Sequence, residues 1–316
     1  MPKPLADLAH DARVELAKAV IGHEDALEML LLTLICGGHA LVEGVPGLGK
    51  TLAVRTLARI LHVRYRRVQC TPDLMPADIV GANILNMASG EFRLHQGPVF
   101  TDLLLVDEIN RMPPRTQAAL LEAMEERQVT VDGVPQHLSP LFTVFATQNP
   151  IEFEGTYPLP EAELDRFAVK IRMEYPNPEQ EEAILVRHHQ GLDSIPLDAV
   201  AAGGIQPDDL AAARAEAAAV RVEPDLTTYI AAVARRTRDW PSLSLGASPR
   251  AAVHLMQLAK ASAAVEGRDY LLPDDVKHVA PAVLRHRLLV RPEADLEGVT
   301  SDHVIADLLA QVAVPK

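Results

Sequence analysis

Short aliphatic runs alternate with amphipathic stretches between residues 40 and 173, the pattern of a parallel α/β sheet. The runs predict strands at 40–43, 63–69, 103–106, 142–147 and 168–173. Leu103-Leu104-Leu105-Val106 is apolar at every position, as a strand covered on both faces requires. Helices are predicted at 50–61 and 114–127. The second carries Leu120, Leu121 and Met124 on one side, with Glu122, Glu125 and Glu126 largely on the other. Ahead of the alternation, residues 1 to about 36 read as two helices separated by Ile21-Gly22-His23.

Two segments interrupt the alternation. Residues 80–86 and 91–95 read as a hairpin around Ala88-Ser89-Gly90, and 128–131 with 134–138 as another around Asp132-Gly133. Two readings of them stand: insertions that face a partner or a central pore, and plain surface ribbon. After Tyr175-Pro176-Asn177-Pro178 the β pattern stops, and an Ala-rich piece at 210–220 precedes helices at about 224–238, 249–266, 273–287 and 301–312. The expected fold is therefore an α/β core with a five-stranded parallel sheet over 1–176, followed by an all-α domain over 177–316. A length of 316 residues, above one typical domain, agrees with two.

Charge narrows the function classes. Thirty basic against 43 acidic side chains leave a net charge of −13, which speaks against a constitutive nucleic-acid coat. Cys36 and Cys70 have no metal-ligand or CxxC spacing and lie in apolar stretches, so they read as buried reduced thiols. The N-terminus lacks a basic start followed by an apolar block, and the longest apolar stretch, 29–36, is too short to span a bilayer. A cytoplasmic protein is expected.

The candidate chemistry begins at Gly44-Val45-Pro46-Gly47-Leu48-Gly49-Lys50-Thr51, which matches GxxxxGK[ST] directly after a predicted strand and opening a predicted helix. Glycines let backbone N–H groups curl around phosphate oxygens, and the helix N-terminus adds positive potential. Lys50 would set a cation against the β- and γ-phosphates of ATP, and the Thr51 hydroxyl can ligate Mg²⁺. The 103–106 strand then delivers Asp107-Glu108 to the edge where an open α/β sheet binds its ligand. Asp107 would hold the Mg²⁺ shell, and Glu108 would polarise an attacking water.

Asp107-Glu108-Ile109-Asn110-Arg111 and Gln117-Ala118-Ala119-Leu120-Leu121-Glu122-Ala123-Met124-Glu125 resemble the MoxR family of AAA+ ATPases. So do Gly97-Pro98-Val99-Phe100, Ala146-Thr147-Gln148-Asn149-Pro150 and Leu159-Pro160-Glu161-Ala162-Glu163-Leu164-Asp165-Arg166-Phe167. The resemblance covers roughly residues 15 to 290 and implies sensor 1 at Asn149, an arginine finger at Arg166 and sensor 2 at Arg250. It leaves open whether Arg250 acts in its own subunit or the neighbour's. It implies adenine packing on Val20-Ile21-Gly22, followed here by His23 where the family often has Gln. It makes the hairpins a helix-2 insert (about 80–96) and a pre-sensor-1 insert (about 127–138), and the second domain a helical lid. It further implies a homo-oligomer, six subunits being the family norm. The activity implied is chaperone-like maturation of a protein client, often by metal or cofactor insertion, and frequently of a partner with a von Willebrand factor A domain.

Other signals carry less. His188-His189 lacks a third ligand at zinc spacing and reads as the end of a solvated helix. Arg64, Arg66 and Arg67 suggest phosphate contacts, but an exposed strand is the expected reading. The rival functions are a nucleic-acid motor, an enhancer-type activator, a chelatase motor subunit and a nucleotide-locked scaffold. The first is opposed by acidic charge and by hairpins without clustered Lys/Arg, the second by the lack of a GAFTGA-like loop, and the last by Glu108 with Arg166.

Overall fold

A computed structural model of the chain describes residues 2–87, 90–150, 155–190, 205–206 and 208–315. Ala88 and Ser89 of the first predicted turn, and 191–204 of the predicted helical domain, lie outside the described residues.

Helices α1 (Leu5–Ala19) and α2 (Glu24–Cys36) lead into β1 (Ala40–Glu43), α3 (Lys50–Ile60) and β2 (Tyr65–Gln69). A short α4 (Pro76–Val80) precedes the hairpin of β3 (Gly81–Asn86) and β4 (Glu91–Gln96). Then come β5 (Leu103–Asp107), α5 (Pro114–Glu126) and the second hairpin, β6 (Gln128–Val131) with β7 (Val134–His137). The strands β8 (Thr143–Gln148) and β9 (Val169–Arg172) flank a short α6 (Glu161–Leu164). The sheet order is β2-β5-β8-β1-β9, and every pairing is parallel. Gln69 is level with Asp107, and Glu43 with Gln148, so the C-terminal strand ends form one edge. The chain leaves β1 and crosses β8 and β5 to reach β2, which opens a cleft at that edge.

β2 starts two residues later than the 63–69 run suggests. Arg64 turns out of the ladder, its backbone N–H and guanidinium both donating to the Asp102 carboxylate at 2.8–3.0 Å. Along β5 the side chains split by parity. Leu103 and Leu105 join an apolar cluster with α1, α2 and α3, while Leu104 and Val106 join another with Leu120, Leu121 and Met124 of α5. Each such leucine, fully buried, contributes about 1.5–3 kcal/mol by leaving water.

Beyond β9 the described residues form helices α7 (Pro178–His189), α8 (Asp209–Ala219), α9 (Pro224–Arg238), α10 (Pro249–Val265), α11 (Pro273–Leu284), α12 (Pro292–Leu296) and α13 (Ser301–Gln311). To these is added a small antiparallel ribbon of β10 (Leu243–Leu245) on β11 (Leu289–Val290). α8 and α10 pack on α1 and α2, and one apolar cluster runs from Leu5 and Leu30 through Leu210 and Leu255 to Leu308. The helical region is thus anchored through the N-terminal helices as well as through the sheet. Among the described residues no helix is long and apolar enough to cross a membrane.

Candidate functional site

The cleft at the C-terminal edge of the sheet, about 400 Å³, is lined by Pro46, Gly47, Leu48, Gly49, Lys50 and Thr51. Opposite them stand Asp107 and Glu108 at the end of β5 and Asn149 after β8, so two separate strand ends meet the loop after β1. Gly47 and Gly49 have φ of +89° and +80°, which a side chain resists, and a Cβ on either would meet nothing within 4 Å. The open concavity is therefore a product of the missing side chains. Lys50 donates from Nζ to the Gly44 and Val45 carbonyls at 2.6 and 2.8 Å, which holds its ammonium inside the loop. Burial lowers the Lys50 pKa, while the nearby Asp107 and Glu108 carboxylates hold it up.

Asp107 is buried where the apolar strand ends, and its two oxygens have different partners. Oδ1 accepts from the Thr147 hydroxyl at 3.1 Å. Oδ2 accepts from the Thr51 hydroxyl at 3.3 Å and from Arg67 Nε at 2.6 Å. Glu108 takes the left-handed conformation, φ +60°, to enter the 3-10 turn Ile109–Arg111. For a residue with a Cβ this costs on the order of 1–2 kcal/mol, and its N–H is secured on Thr147 Oγ1 at 2.9 Å. Glu108 Oε2 accepts from Gln69 Nε2 and lies by Arg111 Nε, each at 3.1 Å. Asn149 is buried at the tip of β8, in the same cleft.

A hydroxyl and a buried carboxylate oxygen 3.3 Å apart, below an open glycine cradle with an inward ammonium, form a donor set suited to a phosphate chain and a hard divalent cation. Among the described residues no cluster of three or more His, Cys, Asp or Glu forms a separate metal centre. Cys36 and Cys70 are free, and burial pushes their thiols up to about 11 and 12.

A second, more apolar pocket of about 340 Å³ adjoins the first and shares Gly47, Leu48, Gly49 and Leu52 with it. Val20, Ile21 and His23 line it, as do Pro176, Ile184, Arg187 and His188 from α7 and the chain before it. Gly22 does not line this pocket. It turns to Gln180, whose Cδ would stand 2.7 Å from a Cβ there. The α7 wall is invisible to motif reading, because contacts distant in sequence, among them the Arg187 guanidinium bonded to the Ala19 carbonyl at 3.0 Å, bring the helix over the 20–23 turn.

Arg166 and Arg250 are not in the Lys50 cleft. They line another recess together with Gly37, Glu125, Arg127 and His254. Glu125 at the end of α5 binds both, Arg166 Nε to Oε2 at 3.0 Å and Arg250 Nη2 to Oε1 at 2.5 Å. Ser248 caps α10 and donates to Asp165, and the buried Arg287 holds Asp165 Oδ1 at 2.7 Å and the Phe167 carbonyl at 2.6 Å. Arg67, Gln69 and Arg287 thus complete these clusters without belonging to any motif in the chain, and Glu125 ends a motif string that assigns it no role.

Comparison with known proteins agrees with this architecture. Residues 39–169 match the model of the ATPase family associated with various cellular activities (AAA), and 235–308 match the AAA lid domain. The chain is 41% identical to chaperone MoxR1 of Mycobacterium tuberculosis, over 96% of this chain and 81% of that protein. It is 32% identical to protein MoxR of Methylorubrum extorquens, over 94% and 91%. The crystal structure of a candidate ATPase from Cytophaga hutchinsonii superposes with a TM-score of 0.90 at 39% identity, covering 99% of this chain and 96% of that one. With its cleft, its lid and relatives matched over most of their lengths, this chain belongs to the MoxR family of AAA+ ATPases.

Proposed function

We propose that this chain hydrolyses Mg-ATP in the Lys50 cleft, that the site is completed by Arg166 and Arg250 of a neighbouring copy, and that the cycle drives chaperone-like remodelling of a client protein. The observation that carries the reading is the separation of the two clusters. The Lys50 cleft and the Arg166–Arg250 recess have no lining residue in common. A finger arginine that cannot serve its own cleft serves another, and closed rings supply such a neighbour for every subunit.

In this mechanism the loop 44–49 wraps the phosphate chain with backbone N–H groups, and Lys50 exchanges its carbonyl partners for β- and γ-phosphate oxygens. Thr51 and Asp107 would hold Mg²⁺, which would supply charge neutralisation at the phosphates. Glu108 takes the proton of the attacking water, and Asn149 orients that water. Ile21 and Leu48 supply the apolar walls for adenine. Arg166 and Arg250, delivered together on Glu125, neutralise the transferring phosphoryl group in the next subunit. Closure of the lid on the core would then move the two hairpins against the client. A relative bears the name chaperone, and the client class we favour is a protein with a von Willebrand factor A domain.

Hydrolysis per subunit, measured across a dilution series alongside sedimentation, tests the reading. The rate is expected to rise steeply where oligomers form, in a hexameric ring by our reading. A full rate in the monomer overturns the shared site.

A further inference from the structure

Arg67 sits on the edge strand β2, two residues before Gln69, so both side chains share the face turned to the cleft. Its Nε donates to Asp107 Oδ2 at 2.6 Å, and its Nη2 donates to Gln69 Oε1 at 2.8 Å. Gln69 Nε2 continues to Glu108 Oε2 at 3.1 Å. The oxygen that Arg67 neutralises is the one that faces the Thr51 hydroxyl, on the side read above as the divalent-cation site. The two members of the ion pair differ in freedom. Asp107 is 8% exposed and further fixed by Thr147, whereas Arg67 is 49% exposed and on a long stem. A buried carboxylate is stabilised by a counter-cation, and at Oδ2 the guanidinium fills that place. The guanidinium is the partner free to leave.

We infer that Arg67 is a built-in counter-cation for Asp107 that competes with Mg²⁺ for Oδ2, and so sets how strictly nucleotide binding depends on the metal. The inference rests on reading the cleft as a Mg-nucleotide site. With Mg²⁺ scarce, Arg67 keeps the cleft cationic beside Lys50 and supports binding of the metal-free nucleotide. With Mg²⁺ present, the ion must displace Arg67, which weakens its apparent affinity. Arg67 is a positioning residue here: it acts through Asp107, and through Gln69 on Glu108.

The test is binding of a fluorescent ATP analogue to the full chain, in Mg²⁺ and in EDTA, for wild type, Arg67→Gln and Arg67→Lys. The ratio of the two dissociation constants, EDTA over Mg²⁺, is expected to widen roughly five-fold in Arg67→Gln, with half-saturating Mg²⁺ falling correspondingly. Arg67→Lys, which keeps the charge and loses the fork, is expected to fall between, and it carries the comparison if the glutamine variant does not fold. A purely structural role for Arg67 would shift both constants together. An unchanged or narrowed ratio in variants that fold overturns the inference alone, because wild type would still bind. A wild-type chain that takes up no nucleotide overturns the reading beneath it as well.

Discussion

Arg250 ion-pairs with Glu125 across 2.5 Å, on a carboxylate whose other oxygen holds Arg166. The first arginine opens α10 and the second follows α6, so a single acidic residue at the end of α5 registers lid against core. It also joins both guanidiniums into one unit. The resemblance left open which subunit Arg250 serves, and its place beside Arg166 favours the neighbour's. Subunit mixing separates the possibilities. Arg166→Ala and Lys50→Ala chains, each down by ~10³-fold or more alone, are expected to recover a fraction of wild-type hydrolysis when co-assembled. Arg250→Ala is expected to behave as Arg166→Ala does. Absence of recovery in mixed assemblies contradicts delivery in trans.

Glu108→Gln keeps the shape of the cleft and the Gln69 contact region while removing the proton acceptor. Turnover is expected to fall ~10²–10⁴-fold with Mg-ATP affinity retained. Single-turnover hydrolysis beside equilibrium binding reads both, and near-normal turnover would move the base assignment elsewhere.

How much of this could be read from the chain follows from the range of the interactions. Residues 44–51 form one turn whose glycine spacing is itself the structure, and 103–107 is a buried strand whose end is marked by its first charge. Asp107 and Asn149 come together because parallel strands in register end level. Arg67 looked like an exposed strand arginine because its partner lies on the neighbouring strand, and only the register of β2 on β5 joins them. Glu125 reads as the polar side of an amphipathic helix until the lid brings Arg250 to it. Arg287, buried and bonded to Asp165, has no local signal, since apart from the Val283 carbonyl its donors meet backbone and side chains far away in sequence. The α7 wall of the apolar pocket has a similar cause, since His188 in the sequence alone reads as a solvated helix end.

Buried histidines make the fold sensitive to acid. His39 accepts from the Val144 N–H on Nδ1 at 2.9 Å and faces the Met124 carbonyl with Nε2 at 3.2 Å, so the neutral ring fills both contacts. Burial holds its pKa down to about 3; burial and then Arg287 do the same for His254, and His286 is lowered likewise. Folded values below the unfolded 6.5 mean that this stability is complete above about pH 6.5 and lost as pH falls below it. His278 has the opposite sign. Its hydrogen bond to Glu28 raises its pKa, so its contribution is complete below 6.5 and lost as pH rises through the folded value. Denaturant unfolding is expected to show maximal stability near pH 6.5, falling by ~1.4 kcal/mol per pH unit for each of His39 and His254 on the acid side. Constant stability from pH 7 to 5 contradicts the neutral, buried assignment.

Gly47→Ala adds a methyl group at φ +89° in open space. The backbone cost is ~1–2 kcal/mol, and the methyl stands in the phosphate cradle. Gly133→Ala, at φ +80° in the hairpin turn and equally open, is the matched control. Both are expected to lower the thermal midpoint alike, and only Gly47→Ala to weaken nucleotide binding, by about ten-fold or more. Equal binding by the two variants contradicts the cradle.

Isothermal calorimetry of the wild-type chain with ATP and Mg²⁺, set beside Lys50→Ala, bears on everything above. The account predicts magnesium-dependent binding by wild type and its loss, at least a hundred-fold, when the ammonium held by Gly44 and Val45 is removed. Equal heats from the two proteins, or none from wild type, would contradict it.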